Sequence, residues 1–192
     1  MLNDLLISKV RVKILELFLS NPDQSYHVRE IVRRVSEEIN AVRRELARLE
    51  KINFLVSEWR ANRRLYSAKK DFLFYPELLS IINKTSGLGG AILENKNKLG
   101  KVKYAMLSGS FVRGKPFNQI DVDLIVVGTI VLPELGTLVR AEETRRDREI
   151  NFTPMTEEEF NFRKHRRDPF LMNILSKPRV MLIGDEEEMV KL

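Results

Sequence analysis

Cysteine is absent from the 192 residues, and histidine occurs only as His27 and His165. Without thiols there is no disulfide framework, no thiolate zinc site and no cysteine nucleophile, and two histidines are too few for a His-rich metal site. Long apolar runs are missing as well. The longest, 124–132, is interrupted by Gly128 and Thr129 and ends at Pro133, well short of the roughly 20 apolar residues that a membrane span needs. The N-terminal stretch MLNDLLISKVRVK is charged within its first turns and lacks the apolar core of a signal peptide. These absences lead us to expect a cytoplasmic protein with no membrane partner. At 43% apolar and 31% charged residues the composition is that of a globular chain, so disorder, collagen-like and coiled-coil repeats are excluded as whole-chain descriptions. The length leaves room for one large domain or two small ones.

What is present is unevenly placed. Residues 1–70 hold 15 Lys/Arg against 9 Asp/Glu, whereas residues 71–192 hold 18 of each, so the whole net charge of +6 lies in the first third. A basic module joined to a neutral one points to a polyanionic partner for the first, and nucleic acid is the commonest. The plainer alternative is an accidental clustering of charge.

In that basic third, Val10, Ile14 and Phe18 recur at helical spacing, with Ile7 one turn earlier and Leu17 beside Phe18. They predict an amphipathic helix over 5–20, which Asn21, Pro22 and Asp23 stop. A short helix follows at 28–35, with Val28, Ile31 and Val35 inward. Ser36 reads as the N-cap of a third helix reaching Lys51, with Glu37 and Glu38 in the first turn where the helix dipole favours acids. Ile39, Val42, Leu46 and Leu49 form the buried stripe of that third helix, while Asn40, Arg43, Arg44, Ala47 and Lys51 share another face. Two strand-like segments, 54–59 and 64–67, are joined by a turn at 60–63.

Three helices and a hairpin, carried by SKVRVKILELFL, YHVREIVRRVS, INAVRRELARLEKINFLV and WRANRRLY, resemble a winged helix-turn-helix domain of the ArsR/MarR type over residues 5–70. The resemblance implies duplex DNA as partner, with the third helix in the major groove and the hairpin on the backbone. Asn40, Arg43, Arg44 and Ala47 would then face base edges, with Lys51 on the same face, and Arg60, Arg63 and Arg64 would face phosphates. The alternatives are a solvated arginine face and a module used for dimerisation. His27 departs from the family, which usually has a small hydroxyl cap there.

Next comes DFLFYPELLSIINK, 71–84, read as a helical linker with more apolar residues than one face needs. The excess suggests burial against a second domain or a second subunit, as in a homodimer. TSGLGG, 85–90, reads as a flexible junction; GLGG follows no strand and is a weak phosphate-loop pattern.

The second half carries chemistry. A strand at 103–108 ends at Gly109 and Ser110, and a short helix follows. Asp121 and Asp123 then open a fully apolar strand, Leu124 to Val127. Two carboxylates at i and i+2 on a strand project from one face, and like charges so close are stabilised by a cation between them. Mg²⁺, which prefers hard oxygens and keeps substrate phosphates in its shell, suits this pair. The turn at Gly109 and Ser110 offers backbone N–H groups to an anion such as a triphosphate. Solvated acids at a strand end are the plainer reading of the pair. Arg113 either touches phosphate or pairs with an acid to hold the short helix.

The segment LSGSFVRGKPFNQIDVDLIVVG, 107–128, resembles the nucleotidyltransferase superfamily that includes DNA polymerase beta, and in its size the minimal members of that group. The resemblance implies nucleoside triphosphate and Mg²⁺ as ligands, Asp121 and Asp123 as catalytic metal ligands, and Gly109, Ser110 and Arg113 as nucleotide contacts. It also implies a third carboxylate on a strand at 148–153, for which Glu149 is the candidate, with Asn151 and Thr153 on the same face. Two departures stand out: Ile120 where the family commonly has Ser before the first acid, and Glu rather than Asp at 149.

The expected fold is α+β: a winged helix-turn-helix at 1–70, a helical linker at 71–87 and a small mixed-sheet nucleotidyltransferase-like domain at 88–192. The pairing resembles prokaryotic regulator-like proteins. The expected function is DNA-binding regulation with a nucleotide- and Mg²⁺-binding second domain. The alternative is an active transferase moving a nucleoside monophosphate from NTP to a protein, nucleic acid or small molecule, as an antitoxin would.

Overall fold

In the computed structural model, which describes residues 8–191, the chain starts with helix α1 (Lys9–Ser20), capped by the Ser8 hydroxyl, which accepts from Arg11 N. The expected start near residue 5 and the inward position of Ile7 lie outside the described residues. Ile14 and Phe18 are buried as expected, but so are Val12, Leu15 and Leu19. Helix α1 is flanked by α2 (Val28–Val35), α3 (Ile39–Lys51) and α4 (Tyr75–Thr85), so one apolar stripe is not enough to face all three.

His27, the residue at odds with the family pattern, does the work of a cap: its Nδ1 accepts from Glu30 N at 3.2 Å. Ser36 does not cap α3. It closes α2 instead, in the left-handed region at φ 53, and the Glu38 carboxylate caps α3 by accepting from Asn40 N and Ala41 N at 2.8 and 2.9 Å. Those two bonds are the main reason why the Glu38 carboxyl sits below the ordinary glutamate range. Strands β2 (Leu55–Arg60) and β3 (Arg63–Ala68) form an antiparallel hairpin with Trp59 opposite Arg64. The short β1 (Tyr26–His27) adds to the other edge of β3.

Two compact units are separated between Thr85 and Ser86. The segment expected as a linker therefore belongs to the first unit: α4 packs on α1 through buried Tyr75, Leu79 and Ile82. The junction expected at GLGG is instead the start of helix α5 (Gly87–Glu94), with Gly89 and Gly90 buried.

The second unit is built on a four-stranded sheet of order β6-β5-β4-β7. Strand β4 (Gly100–Ser108) runs antiparallel to both β5 (Leu124–Ile130) and β7 (Arg179–Ile183), and β6 (Phe152–Met155) runs parallel to β5. Leu124, Ile125, Val126 and Val127 are all at 0% exposure, so β5 is covered on both faces, as a continuous apolar run requires. On one face Tyr104, Met106, Ile125, Val127 and Met155 meet residues of α8 (Glu157–His165), α9 (Pro169–Leu175) and α10 (Glu186–Val190). Helices α6 (Gly109–Val112) and α7 (Leu132–Arg146) follow β4 and β5, and α7 packs on α5. The architecture is α+β, and among the described residues no helix is long and apolar enough to cross a membrane.

The third strand begins later than the sequence predicts. Residues 148–151 are irregular, and Glu149 is exposed in that stretch rather than on a strand. Asn151 adjoins the acids instead: its carbonyl accepts from Asp123 N and Leu124 N at 2.8 and 3.2 Å.

Candidate functional site

On the first unit, Asn40, Arg43, Arg44, Ala47 and Lys51 are all exposed along α3, while Val42, Leu46 and Leu49 face the core. The periodicity that separates these sets is legible in sequence. The burial of Glu45 is not. Its carboxylate accepts from Ser8 Oγ, Arg11 Nε and Arg48 Nη1 at 3.1, 2.9 and 3.1 Å, tying α1 to α3. Burial acts to raise its pKa, but these bonds outweigh it and hold the carboxyl below the usual range. The core side of α3 is thus fixed and the outer side left to solvent.

The hairpin arginines are not equivalent. Arg63 is exposed at the tip. Arg60 meets Glu58, at 2.6 Å, in an exposed pair of the kind worth about 0–1 kcal/mol and easily displaced. Arg64 is engaged: Nη2 donates to both oxygens of Glu50 at 2.8 and 2.9 Å, and Nε donates to Ser57 Oγ at 2.9 Å. Ser57 Oγ in turn donates to Glu50 at 2.5 Å, so the hairpin is fastened to the end of α3.

On the second unit, Gly109, Ser110, Arg113 and Asp121 line one cleft of about 230 Å³, with Lys115, Lys177 and Pro178 opposite. Sequence spacing brought the first four together. Lys177 it could not find, being 56 positions from Asp121 with no motif linking them. Arg113 is exposed, and among the described residues no acid pairs with it. Ser110 Oγ lies 3.1 Å from Ser108 Oγ. The Gly109 N–H is not offered to the cleft: it donates to the Pro178 carbonyl at 2.7 Å. A Cβ at Gly109 would lie 2.8 Å from that same oxygen, so the glycine serves close approach of the segment before β7. Gly109→Ala is expected to push that segment away, at a cost of about 1–3 kcal/mol by overpacking, and to carry Lys177 off Asp121. Urea denaturation and ligand titration of the variant check both effects.

Asp121 and Asp123 stand just before β5, separated by Val122, which packs towards the core. Asp121 is half-buried: Oδ1 accepts from Lys177 Nζ at 3.1 Å and Oδ2 from Asn118 Nδ2 at 3.2 Å. Asp123 is 3% exposed, and its Oδ2 accepts from Arg148 Nη2 at 2.8 Å and Asn151 N at 3.1 Å. Burial raises the Asp123 pKa, and Arg148 with the Asn151 N–H offsets this only in part. Its ionisation therefore subtracts stability once the pH exceeds the unfolded value of about 3.9.

Arg148 and Asn151 also hold the irregular loop that carries the acids. Arg148 Nη1 donates to the Lys115 carbonyl at 2.7 Å, and Asn151 Nδ2 donates to the carbonyls of Asn118 and Asp121 at 3.1 and 3.0 Å. Behind them, the Phe111 ring lies under the guanidinium carbons of Arg146 and Arg148, 4.4 and 5.3 Å from its centroid. Ile120, which precedes the first acid, is 85% exposed on that loop, and its N–H donates to Asn118 Oδ1 at 3.1 Å.

The metal expectation is tested by this donor set. Two-metal transfer needs carboxylates that clamp both ions, and Mg²⁺ wants hard oxygens free to enter its octahedron. Here each acid already holds a cationic side chain, and the residue beside them just before the third strand is an amide, Asn151, whose nitrogen faces carbonyls. Glu149 stands off the strand. Among the described residues no three His, Cys, Asp or Glu side chains are grouped to hold a metal. The residues present do not fit a two-metal centre. The chain matches no protein-family model, no curated protein and no solved structure.

Proposed function

We propose that this chain is a DNA-binding, regulator-like protein: a winged helix-turn-helix at its N-terminal end and a nucleotidyltransferase-like unit that binds a nucleoside triphosphate as a signal. The observation that carries the reading is the outer face of α3. Five polar or small residues, Asn40, Arg43, Arg44, Ala47 and Lys51, are exposed on it in one row, next to a basic hairpin. That is the shape and charge a major groove admits, and it coincides with the segment that carries the entire positive excess. For the second unit, support comes from the cleft that Arg113, Lys115 and Lys177 line together with Asp121. The transferase alternative finds no support in the donor set, where each acid already holds a protein cation.

Fluorescence anisotropy with duplex DNA between 50 and 200 mM salt tests the reading. Each neutralised phosphate adds about −0.9 to the slope of log K against log salt. Phosphate contacts from Lys51, Arg60 and Arg63 together give a slope of about −2.7. Added nucleoside triphosphate is expected to shift the DNA affinity. Affinity indifferent to salt would refute the DNA assignment, and affinity indifferent to every nucleotide would refute the signalling role.

A further inference from the structure

We infer that the cleft of the second unit captures its triphosphate without a divalent cation, because protein cations already occupy the places a metal would fill. The inference rests on the proposed nucleotide reading and deepens it.

Charge in the cleft is the starting point. Arg113, Lys115 and Lys177 line it, against Asp121 as its one acid. Lys177 Nζ sits 3.1 Å from Asp121, and an ammonium has three donors, so it can hold the carboxylate and a phosphate oxygen together. Asp123 is withdrawn from the cleft and held by Arg148 at 2.8 Å. Arg148 is itself only 16% exposed and is fixed by the Phe111 ring and the Lys115 carbonyl, so a cation approaching the second acid meets a packed guanidinium on its Oδ2 side. A triphosphate brings the negative charge that this cleft lacks. A metal brings positive charge to acids that each already hold a protein cation.

The reversal shows in the sign of one substitution. Where a metal bridges acid and phosphate, removing the acid weakens binding. Where only protein cations hold the phosphates, Asp121 repels the ligand and competes for Lys177. Asp121→Asn is therefore expected to tighten triphosphate binding roughly two- to fivefold, as befits a half-exposed charge pair. Lys177→Met is expected to weaken it about tenfold or more, since it also leaves Asp121 uncompensated.

The test is calorimetric titration of the full chain with ATP, GTP, CTP and UTP, each in excess Mg²⁺ and in EDTA. The wild-type protein is expected to bind its preferred nucleotide at least as tightly in EDTA. Inorganic triphosphate run alongside distinguishes the sources: tighter nucleotide binding assigns the site to nucleotides, and equal binding assigns it to the triphosphate chain. Both support capture by protein cations. Circular dichroism confirms that each variant is folded. Binding that falls tenfold or more in EDTA, or that Asp121→Asn weakens, overturns the inference while leaving the nucleotide reading intact. Absence of binding in both buffers overturns both.

Discussion

Glu142→Ala is expected to destabilise the second unit by about 3–5 kcal/mol, the cost of leaving a buried cation without its partner. Glu142 is 5% exposed. Its carboxylate accepts two bonds from Arg145, at 2.7 and 2.6 Å, and a third from Arg146 Nε at 2.5 Å. Arg146, 16% exposed, stays buried when Glu142 is lost, and its guanidinium shares the Phe111 ring with that of Arg148. The damage therefore reaches Arg148 and Asp123 through the shared ring. Urea denaturation followed by circular dichroism measures the loss. A shift below about 0.5 kcal/mol, the range of an ordinary surface substitution, would show that the cluster is not structurally coupled.

The same carboxylate sets a pH dependence. Burial pushes the Glu142 pKa up, but the bonds and charges of Arg145 and Arg146 outweigh that and hold it below the ordinary value. A group depressed in the folded state contributes stability that is present above its unfolded pKa and is lost as the pH falls through the folded one. Wild type is thus expected to lose this share of its stability in acid, below the unfolded glutamate value of about 4.3. Glu142→Gln, uncharged throughout, is expected to lack that share at neutral pH and to converge on wild type as acid is added.

Periodicity made the two sides of α3 legible, because Val42, Leu46 and Leu49 repeat on a helical period and the polar set falls between them. It could not show that Glu45 is buried, since an acid among arginines reads as surface until Arg11 is brought beside it from 34 positions away. The cap of α3 was misread for a local reason: Ser36 is a usual cap residue, but it takes the left-handed turn that closes α2, and Glu38, read as a first-turn acid, caps α3 instead. In the second unit, the acid pair and the apolar strand were legible from spacing alone. The strand expected to carry the third carboxylate starts later than the sequence suggests. Residues 148–151 are irregular, so strand parity does not apply to Glu149, and Asn151 is the residue that adjoins Asp123. Arg148 and Lys177, which decide how the acids are neutralised, come from distant segments and carry no motif.

The second large effect concerns DNA. Arg43 and Arg44 are exposed on α3, and among the described residues neither is held in an ion pair. Replacing both with Ala is expected to weaken duplex binding by about 2–6 kcal/mol, since a bidentate contact to guanine is worth about 1–3 kcal/mol of discrimination. Affinity would fall at least about thirtyfold, with sequence preference falling too. Arg64→Ala is expected to behave differently, although the sequence assigns Arg64 to phosphate. Its guanidinium is committed to Glu50 and Ser57, so its loss unfastens the hairpin from α3 without removing a phosphate contact. Affinity should fall while the salt slope keeps its wild-type value, and Glu50→Gln should produce the same pattern. Arg63→Ala is the contrasting control, because Arg63 stands exposed at the hairpin tip and its loss should flatten the slope by about 0.9. A flattening of that size for Arg64→Ala would mean that its guanidinium leaves Glu50 to meet the DNA, and that Arg64 is a phosphate ligand rather than a brace.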